Sequence, residues 1–225
     1  MQAFTIHRGL AVPLAHANLD TDVIVRMERC AAVPREQLGR WALEALRYRP
    51  DGQPEPRCVF NDARFAGASI LLADENFGCG SSREMAVWAL AGMGLRCVVA
   101  PSFGDIFFAN CFQNGLLPLR LPAPVVAALR AQAADGGLQL EVDLPAQQLR
   151  GAATGPLAFE IDPLRKTLLA SGTDEIGLAL AHAGDLARWQ ARDRAARPWI
   201  YAPLRMPAPA TSPTSPTPSF PRRIP

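Results

Sequence analysis

Two short apolar runs on either side of a glycine- and serine-containing loop most constrain how this chain can fold. The run ASILLA at 68–73 has the length of a buried strand, and MAVWALA at 85–91 is typical of a helix. A second strand-like run, CVVA at 97–100, follows the helix and ends at Pro101. Strand, helix and strand in this order predict a parallel pair joined by a right-handed crossover. Since ligands bind such sheets at the carboxyl ends of the strands, the loop at 75–84 is the predicted functional site.

The loop, ENFGCGSSRE, carries groups suited to binding an anion. Its two glycines permit a positive φ and let a ligand approach the backbone closely. Ser81 or Ser82 is a natural N-cap, and the free N–H groups of the first helical turn would hold a carboxylate or phosphate. Arg83 adds a fork of donors that matches a carboxylate. A simple capping turn has the same composition, so these residues alone leave both interpretations open.

The same loop lacks the features of a nucleotide site. It contains no P-loop lysine, and Arg83 stands where the third glycine of a G-x-G-x-x-G motif would be. It is not a nucleophile elbow either, because no glycine closes the turn after the two serines. These absences disfavour nucleotide binding.

Residues 76–84, NFGCGSSRE, resemble the signature loop of the small subunit of 3-isopropylmalate dehydratase, in the aconitase superfamily. Further stretches agree with that family in order and spacing: NLDTDVI at 18–24, GASILLA at 67–73, APSFGDIF at 100–107 and DEIGL at 174–178. The resemblance covers about residues 1 to 190. It implies an α/β fold, namely a swivelling β/β/α domain like the aconitase C-terminal domain, with a parallel central sheet flanked by helices.

The resemblance also implies a reaction, the isomerisation of 2-isopropylmalate to 3-isopropylmalate in leucine biosynthesis by removal and re-addition of water. In the family, a separate large subunit holds a 4Fe-4S cluster as Lewis acid. This chain is therefore expected to bind no cofactor itself and to act on its small hydroxy acid substrate only in a heterodimer or higher assembly. By position, Ser81 matches the catalytic base, and Ser82 and Arg83 match residues that bind a substrate carboxylate. Arg47 best matches a further substrate-binding arginine, with a solvated surface arginine as the open alternative.

The stretch RMERC at 26–30 departs from the family pattern, which has a proline and an aromatic–leucine pair in this loop. In the superfamily the loop helps to recognise the side group of the substrate. Arg26 or Arg29 would suit a further carboxylate better than an isopropyl group. Met85 and Val87 replace the usual histidine and proline, so changes around the site are expected. Two alternatives therefore stay open: a homoaconitase-like paralogue acting on another 2-hydroxy di- or tricarboxylate, and a non-catalytic binding module that kept the fold.

Composition limits the remaining classes of function. The chain has 225 residues with 23 basic and 21 acidic side chains, which indicates one domain with a sizeable core and no nucleic-acid partner. No signal peptide or membrane-spanning pattern is present, so we expect a cytoplasmic protein without a membrane partner. The cysteines include no C-x-x-C pair and the histidines are scattered, so we expect free thiols and no metal site in this chain. These residues are Cys30, Cys58, Cys79, Cys97, Cys111, His7, His16 and His182.

Local patterns predict the other elements. Asp20 and Asp22 flank a threonine; they are either an acid–base pair or, as we favour, a turn that supports the site, followed by a short strand at 23–25. The remaining expectations are helices over 34–46, 125–134 and 176–190, and a strand at 138–142 paired with 159–161.

The composition changes near the end of the chain. Seven of the residues at 206–225 are proline, set among serine, threonine and alanine. Such a segment buries too little to order itself, so we predict a disordered tail after a domain spanning 1–205.

Overall fold

The structure is a computed structural model that describes residues 1–80, 83–153 and 155–201. The chain divides into two compact units, Met1–Leu180 and a second unit that begins at Ala181. The described parts of all the family-like motifs lie in the first unit. The predicted domain end at residue 205 and the predicted tail at 206–225 lie outside the described residues and stay predictions.

Seven strands of the described chain form one sheet, in the order β4-β3-β2-β1-β5-β6-β7. Strands β1 to β4 pair in parallel, whereas β5, β6 and β7 are joined to β1 and to each other in antiparallel fashion. The predicted parallel core is therefore confirmed, with an antiparallel extension on one side. The strands are β1 (Ile6–Pro13), β2 (Ile70–Leu72), β3 (Cys97–Ala100), β4 (Leu117–Arg120), β5 (Gln139–Asp143), β6 (Gln148–Arg150) and β7 (Leu157–Ala158).

Helices of the first unit connect the strands of this sheet, and the described residues from 181 onward form helices of the second unit. The α-helices are α1 (Thr21–Ile24), α2 (Met27–Ala32), α3 (Glu44–Arg47), α4 (Glu84–Gly92), α5 (Asp105–Gln113), α6 (Ala123–Ala133), α7 (Pro163–Ser171), α8 (Glu175–Ala181) and α9 (Ala183–Ala196). Short 3-10 helices span Arg35–Trp41, Val59–Asn61, Ala63–Phe65 and Pro198–Ile200. None of the helices in the described part of the chain has the length and apolar character needed to span a bilayer.

Both faces of β2 and β3 are buried, which explains their continuous apolar sequence. Successive residues of a strand point to opposite faces, so Leu71 joins a core with Leu90 of α4, while Ile70 and Leu72 join a second core with Val126 of α6. The patterns for α4, α6 and β5 are confirmed, and the region predicted helical at 176–190 divides into α8 and α9 around His182.

The single helix predicted over 34–46 is wrong. A 3-10 helix spans Arg35–Trp41, and Leu43 then adopts a left-handed φ of 55° before α3 begins. Tertiary contacts override the helical pattern here, since the Leu43 N–H donates to the Ile24 carbonyl at 2.8 Å. Gly39 also packs closely against the backbone of Gly92: a Cβ at position 39 would lie 2.2 Å from the Gly92 carbonyl carbon.

The strand predicted at 159–161 is wrong as well. The strand β7 at Leu157–Ala158 pairs with β6, which in turn pairs with β5. Strand β6 carries mainly polar residues, so no apolar alternation marked it in the sequence. The turn between β5 and β6 is formed where the Asp143 carboxylate accepts a bond from the Ala146 N–H at 2.8 Å.

Candidate active site

The loop after β2 depends on two glycines with left-handed backbone. Gly78 and Gly80 have φ values of 73° and 90°, a region that L-residues with a side chain rarely occupy. A Cβ on Gly78 would also lie 2.3 Å from Cγ of Phe107, which is buried on α5. The loop therefore requires glycine at this point both for its backbone conformation and for close packing on α5.

Backbone hydrogen bonds bring three separated motifs together at this loop. The Gly78 N–H donates to the Leu19 carbonyl at 2.7 Å, and the Thr21 N–H donates to the Cys79 carbonyl at 3.0 Å. On the other side, the Phe77 N–H donates to the Ser102 carbonyl at 3.1 Å. The loops that follow β2 and β3 thus meet at the carboxyl ends of these strands, the edge of the sheet where the sequence predicted the functional site.

Asp20 forms the turn that the sequence favoured over an acid–base role. Its carboxylate accepts a hydrogen bond from the Val23 N–H at 2.8 Å and so caps helix α1. The strand expected at 23–25 is wrong, because this cap starts a helix at Thr21 instead. Asp20 supports the loop through its backbone as well, in an isolated parallel bridge to Cys79.

Asp22 faces the arginine of the signature loop. Its carboxylate pairs with both terminal nitrogens of Arg83, with Nη2 lying 3.2 Å from Oδ2. The Arg83 side chain is only 14% exposed, whereas that of Asp22 is 58% exposed. The Arg83 Nε is buried and has no hydrogen-bond partner among the described residues. Arg83 is thus held in a geometry that receives a carboxylate on its fork.

Arg83 also occupies the N-cap position of α4, without a side-chain capping bond. The prediction that Ser81 or Ser82 is the N-cap is therefore wrong, because the helix begins at Glu84, one residue later than a serine cap requires. Ser81 and Ser82 lie outside the described residues, so their catalytic and substrate-binding roles stay predictions. The positive end of α4 still lies next to the Arg83 backbone.

A polar network that sequence reasoning missed fixes the first turn of α4. Asn114 donates from Nδ2 to the Glu84 carboxylate at 2.8 Å, and its Oδ1 accepts from the Trp88 indole at 2.8 Å. Arg35 donates to the same Oδ1 at 3.0 Å and stacks over the Trp88 ring. Asn114 follows α5 and carries no local motif, so only the tertiary structure identifies it.

Arg47 is engaged by its own segment. Its Nη1 donates to the carbonyls of Arg40 and Ala42, at 3.2 Å each, and its Nε is buried without a partner in the described chain. The guanidinium also lies 5.4 Å from the ring centroid of Tyr48. These contacts hold the turn before α3 together, and the predicted role of Arg47 in substrate binding stays a prediction.

Arg26 and Arg29 line one cleft of about 700 Å³ together with Trp41, Glu44 and Tyr48. Arg29 donates from Nε and Nη2 to the two carboxylate oxygens of Glu44, at 2.9 and 2.6 Å. Its guanidinium lies 3.5 Å from the Trp41 ring centroid. The hydrogen bond from Arg29 lowers the pKa of Glu44, so both groups are charged at neutral pH.

The charge of Arg29 is therefore balanced inside the cleft, whereas Arg26 forms no ion pair with a carboxylate of the described chain. Helix α2, which carries Arg29 and Cys30, also lies close to Arg83. Burial raises the pKa of the Cys30 thiol, and the positive charge of Arg83 opposes that rise. The cleft thus adjoins the Asp22–Arg83 pair through α2.

The cysteines do not converge on a common point. All five are free thiols, as predicted. Cys97 lies in β3 and Cys111 in α5, both fully buried, and burial raises the pKa of each thiol. In the part of the chain that the structure describes, no group of three or more His, Cys, Asp or Glu side chains could hold a metal ion.

Comparison with known proteins agrees with this geometry. Residues 1–124 match the model of the aconitase C-terminal domain. The 3-isopropylmalate dehydratase small subunit 2 of Bordetella parapertussis is 48% identical over 201 residues, which are 89% of this chain and 100% of that protein. This chain belongs to the 3-isopropylmalate dehydratase small-subunit family.

Other members of the small-subunit family support the assignment. The 3-isopropylmalate dehydratase small subunit of Gluconacetobacter diazotrophicus is 47% identical over 200 residues, which are 88% of this chain and 97% of that protein. A crystal structure of 3-isopropylmalate dehydratase from Methanocaldococcus jannaschii superposes with a TM-score of 0.61 at 23% identity, covering 82% of this chain and 99% of that one. That likeness confirms the predicted fold.

Proposed function

We propose that the chain is the small subunit of a two-subunit hydro-lyase that isomerises 2-isopropylmalate to 3-isopropylmalate in leucine biosynthesis. The observation that carries this proposal is the 48% identity over the full length of a relative with that name. The chain would act only with a large subunit, as a heterodimer or higher assembly. Its dispersed thiols do not fit a 4Fe-4S cluster, which needs converging thiolates, so we assign the cluster to that partner.

In this reaction Arg83 would bind a carboxylate of the substrate. Its fork already receives the Asp22 carboxylate, and its side chain is largely buried, so little reordering is needed when a substrate carboxylate arrives. Asp22 is mostly exposed and can turn toward solvent as the substrate takes its place. We therefore assign Asp22 the role of positioning Arg83 before the substrate binds.

Ser81 would act as the base that removes the proton next to the substrate carboxylate, and Ser82 would bind the same carboxylate. The negative charge that develops on the substrate would be stabilised by the Arg83 guanidinium and by the positive end of α4. The support for this assignment is the position of the described neighbours, because Gly80 and Arg83 bracket both serines.

The cleft at α2 would receive the side group of the substrate. Glu44 balances the charge of Arg29, and Trp41 covers its guanidinium, so Arg29 need not repel an isopropyl group. Arg26 forms no ion pair within the described residues, although its charge also acts on the Glu44 carboxylate, and this lack of a direct partner is the observation that favours a second candidate substrate. That candidate is a 2-hydroxy tricarboxylate whose additional carboxylate would pair with Arg26.

The test is reconstitution of the full chain with a cluster-loaded large subunit. We expect the two chains to co-purify and the assembly to isomerise 2-isopropylmalate, with homocitrate as the competing substrate. A higher kcat/KM for homocitrate would favour the tricarboxylate candidate. Stable co-purification with no turnover of either acid would contradict both and leave a non-catalytic binding module.

A further inference from the structure

A second cleft, of about 820 Å³, is lined by the edge strand β4, helix α5 and the segment that leads from β7 into α7. None of its described lining residues belongs to the 75–84 loop or to the α2 cleft. We propose that this cleft binds a small zwitterion with an apolar side chain, that is, an apolar α-amino acid. The proposal does not depend on the function assigned above.

Two arginines supply the positive side of the cleft. The Arg120 guanidinium lies 3.8 Å from the ring centroid of Phe108, and that of Arg165 lies 4.7 Å from the ring centroid of Phe112. Stacking on these rings orients both guanidinium groups without neutralising them. Neither forms an ion pair with a carboxylate of the described chain, so both are available to a carboxylate ligand.

Two carboxylates supply the negative side of the same cleft. Asp162 caps α7 by accepting a bond from the Arg165 N–H at 3.0 Å. Glu160 is exposed, and within the described residues it makes neither a hydrogen bond nor an ion pair. A ligand with only negative charge would be repelled by Glu160, whereas an ammonium group on the same ligand would be attracted to it. The two signs of charge together match an α-amino acid better than a phosphate.

The base of the cleft is apolar. Phe112, Leu121 and Phe159 are 6%, 6% and 5% exposed, and the half-buried Phe108 completes this surface. Small-molecule sites typically have volumes of about 300 to 1,000 Å³ and combine an apolar lining with a few polar groups. Arg120 is the last residue of β4, and the carboxyl ends of parallel strands are where such sites form. The apolar surface would cover the side chain of the amino acid.

The experiment is calorimetric titration of the full chain with L-leucine and L-phenylalanine as probes. Glycine lacks the apolar side chain, 4-methylpentanoate lacks the ammonium group, and 3-methylbutylamine lacks the carboxylate. We expect saturable binding of at least one of the two probes, and affinities at least tenfold weaker for all three comparison compounds. Failure of both probes to bind saturably at millimolar concentration would overturn the proposal.

Variants separate the roles of the charges. Arg165→Gln is expected to weaken binding of the amino acid at least tenfold, while Arg57→Gln, at an exposed arginine outside the cleft, leaves it unchanged. Glu160→Gln is expected to weaken binding of the amino acid but not that of 4-methylpentanoate. Unaltered binding in Arg165→Gln, or equal affinity for leucine and 4-methylpentanoate, would overturn the assignment. The urea midpoint of each variant reports that it is folded.

Discussion

The packing of Gly78 on Phe107 gives a sharp test of how the signature loop is held. Gly78 and Gly67 have nearly the same left-handed φ, 73° and 75°. A Cβ at Gly78 would lie 2.3 Å from Phe107 Cγ, whereas a Cβ at Gly67 would meet nothing within 4 Å. The two Gly→Ala variants therefore share the backbone strain and differ in the steric clash alone.

The expected losses in the free energy of unfolding follow from the shared backbone strain and from the steric clash at Gly78 alone. A left-handed conformation costs an L-residue roughly 1–2 kcal/mol, and overpacking a buried site costs roughly 1–3 kcal/mol more. The entropy that alanine removes from the unfolded chain is common to both variants and cancels in the comparison. We expect Gly78→Ala to lower the free energy of unfolding by about 1–3 kcal/mol more than Gly67→Ala does.

Urea denaturation of the full chain measures both values. A double variant, Gly78→Ala with Phe107→Leu, should recover part of the loss, because the smaller side chain leaves room for the new methyl group. In the reconstituted enzyme we expect Gly78→Ala, but not Gly67→Ala, to lower turnover at temperatures where both are folded. Equal losses of stability in the two single variants would refute the packing argument.

Three further predictions follow from the site and the sheet. Ser81→Ala is expected to abolish turnover of the reconstituted enzyme without loss of assembly; failure to assemble would indicate a structural role for the loop. Arg26→Ala is expected to shift the ratio of kcat/KM for 2-isopropylmalate over homocitrate about tenfold toward the former. Arg29→Lys should leave that ratio unchanged, because Glu44 balances this charge in either variant; an equal shift would contradict the distinction between the two arginines. Burial, assisted by Arg96, lowers the pKa of His7, so the unfolded chain binds its proton more readily than the folded chain. Stability should therefore fall as the pH drops below about 6.5, and His7→Gln should reduce that fall between pH 7 and 5.5, measured by urea denaturation at each pH.

The parts of the fold that the sequence predicted are those whose apolar residues are contiguous or periodic. Strand β3 and helices α4 and α6 are examples, because their burial follows directly from local composition. The antiparallel strand β6 is short and mainly polar, and β7 has only two residues, so neither leaves such a pattern. The break in the predicted helix before α3 came from a long-range bond to Ile24, which no local window contains.

In the candidate site, too, local sequence indicated individual residues, whereas their partners depend on long-range contacts. The family motifs located Arg83 and the α2 stretch in the sequence, and the structure added the charges that face them. Asp22 lies 61 positions from Arg83, and Glu44 lies 15 positions from Arg29. Pairing at these separations depends on how the loops meet, so it could not be predicted from residue types alone.

The ion pairs Asp22–Arg83 and Glu44–Arg29 differ in how readily a substrate carboxylate can replace the carboxylate of the protein. Asp22 is 58% exposed, so water can solvate its carboxylate when a substrate carboxylate replaces it on Arg83. Glu44 is 13% exposed, holds Arg29 through two bonds and lies against a guanidinium stacked on Trp41, so this pair is expected to stay formed while substrate binds. We therefore expect Arg83 to exchange Asp22 for a substrate carboxylate, and Arg29 to stay paired with Glu44 in the lining of the cleft. This difference makes Arg83 the arginine expected to bind the substrate, and it leaves Arg26 as the position where we expect substrate preference to be decided.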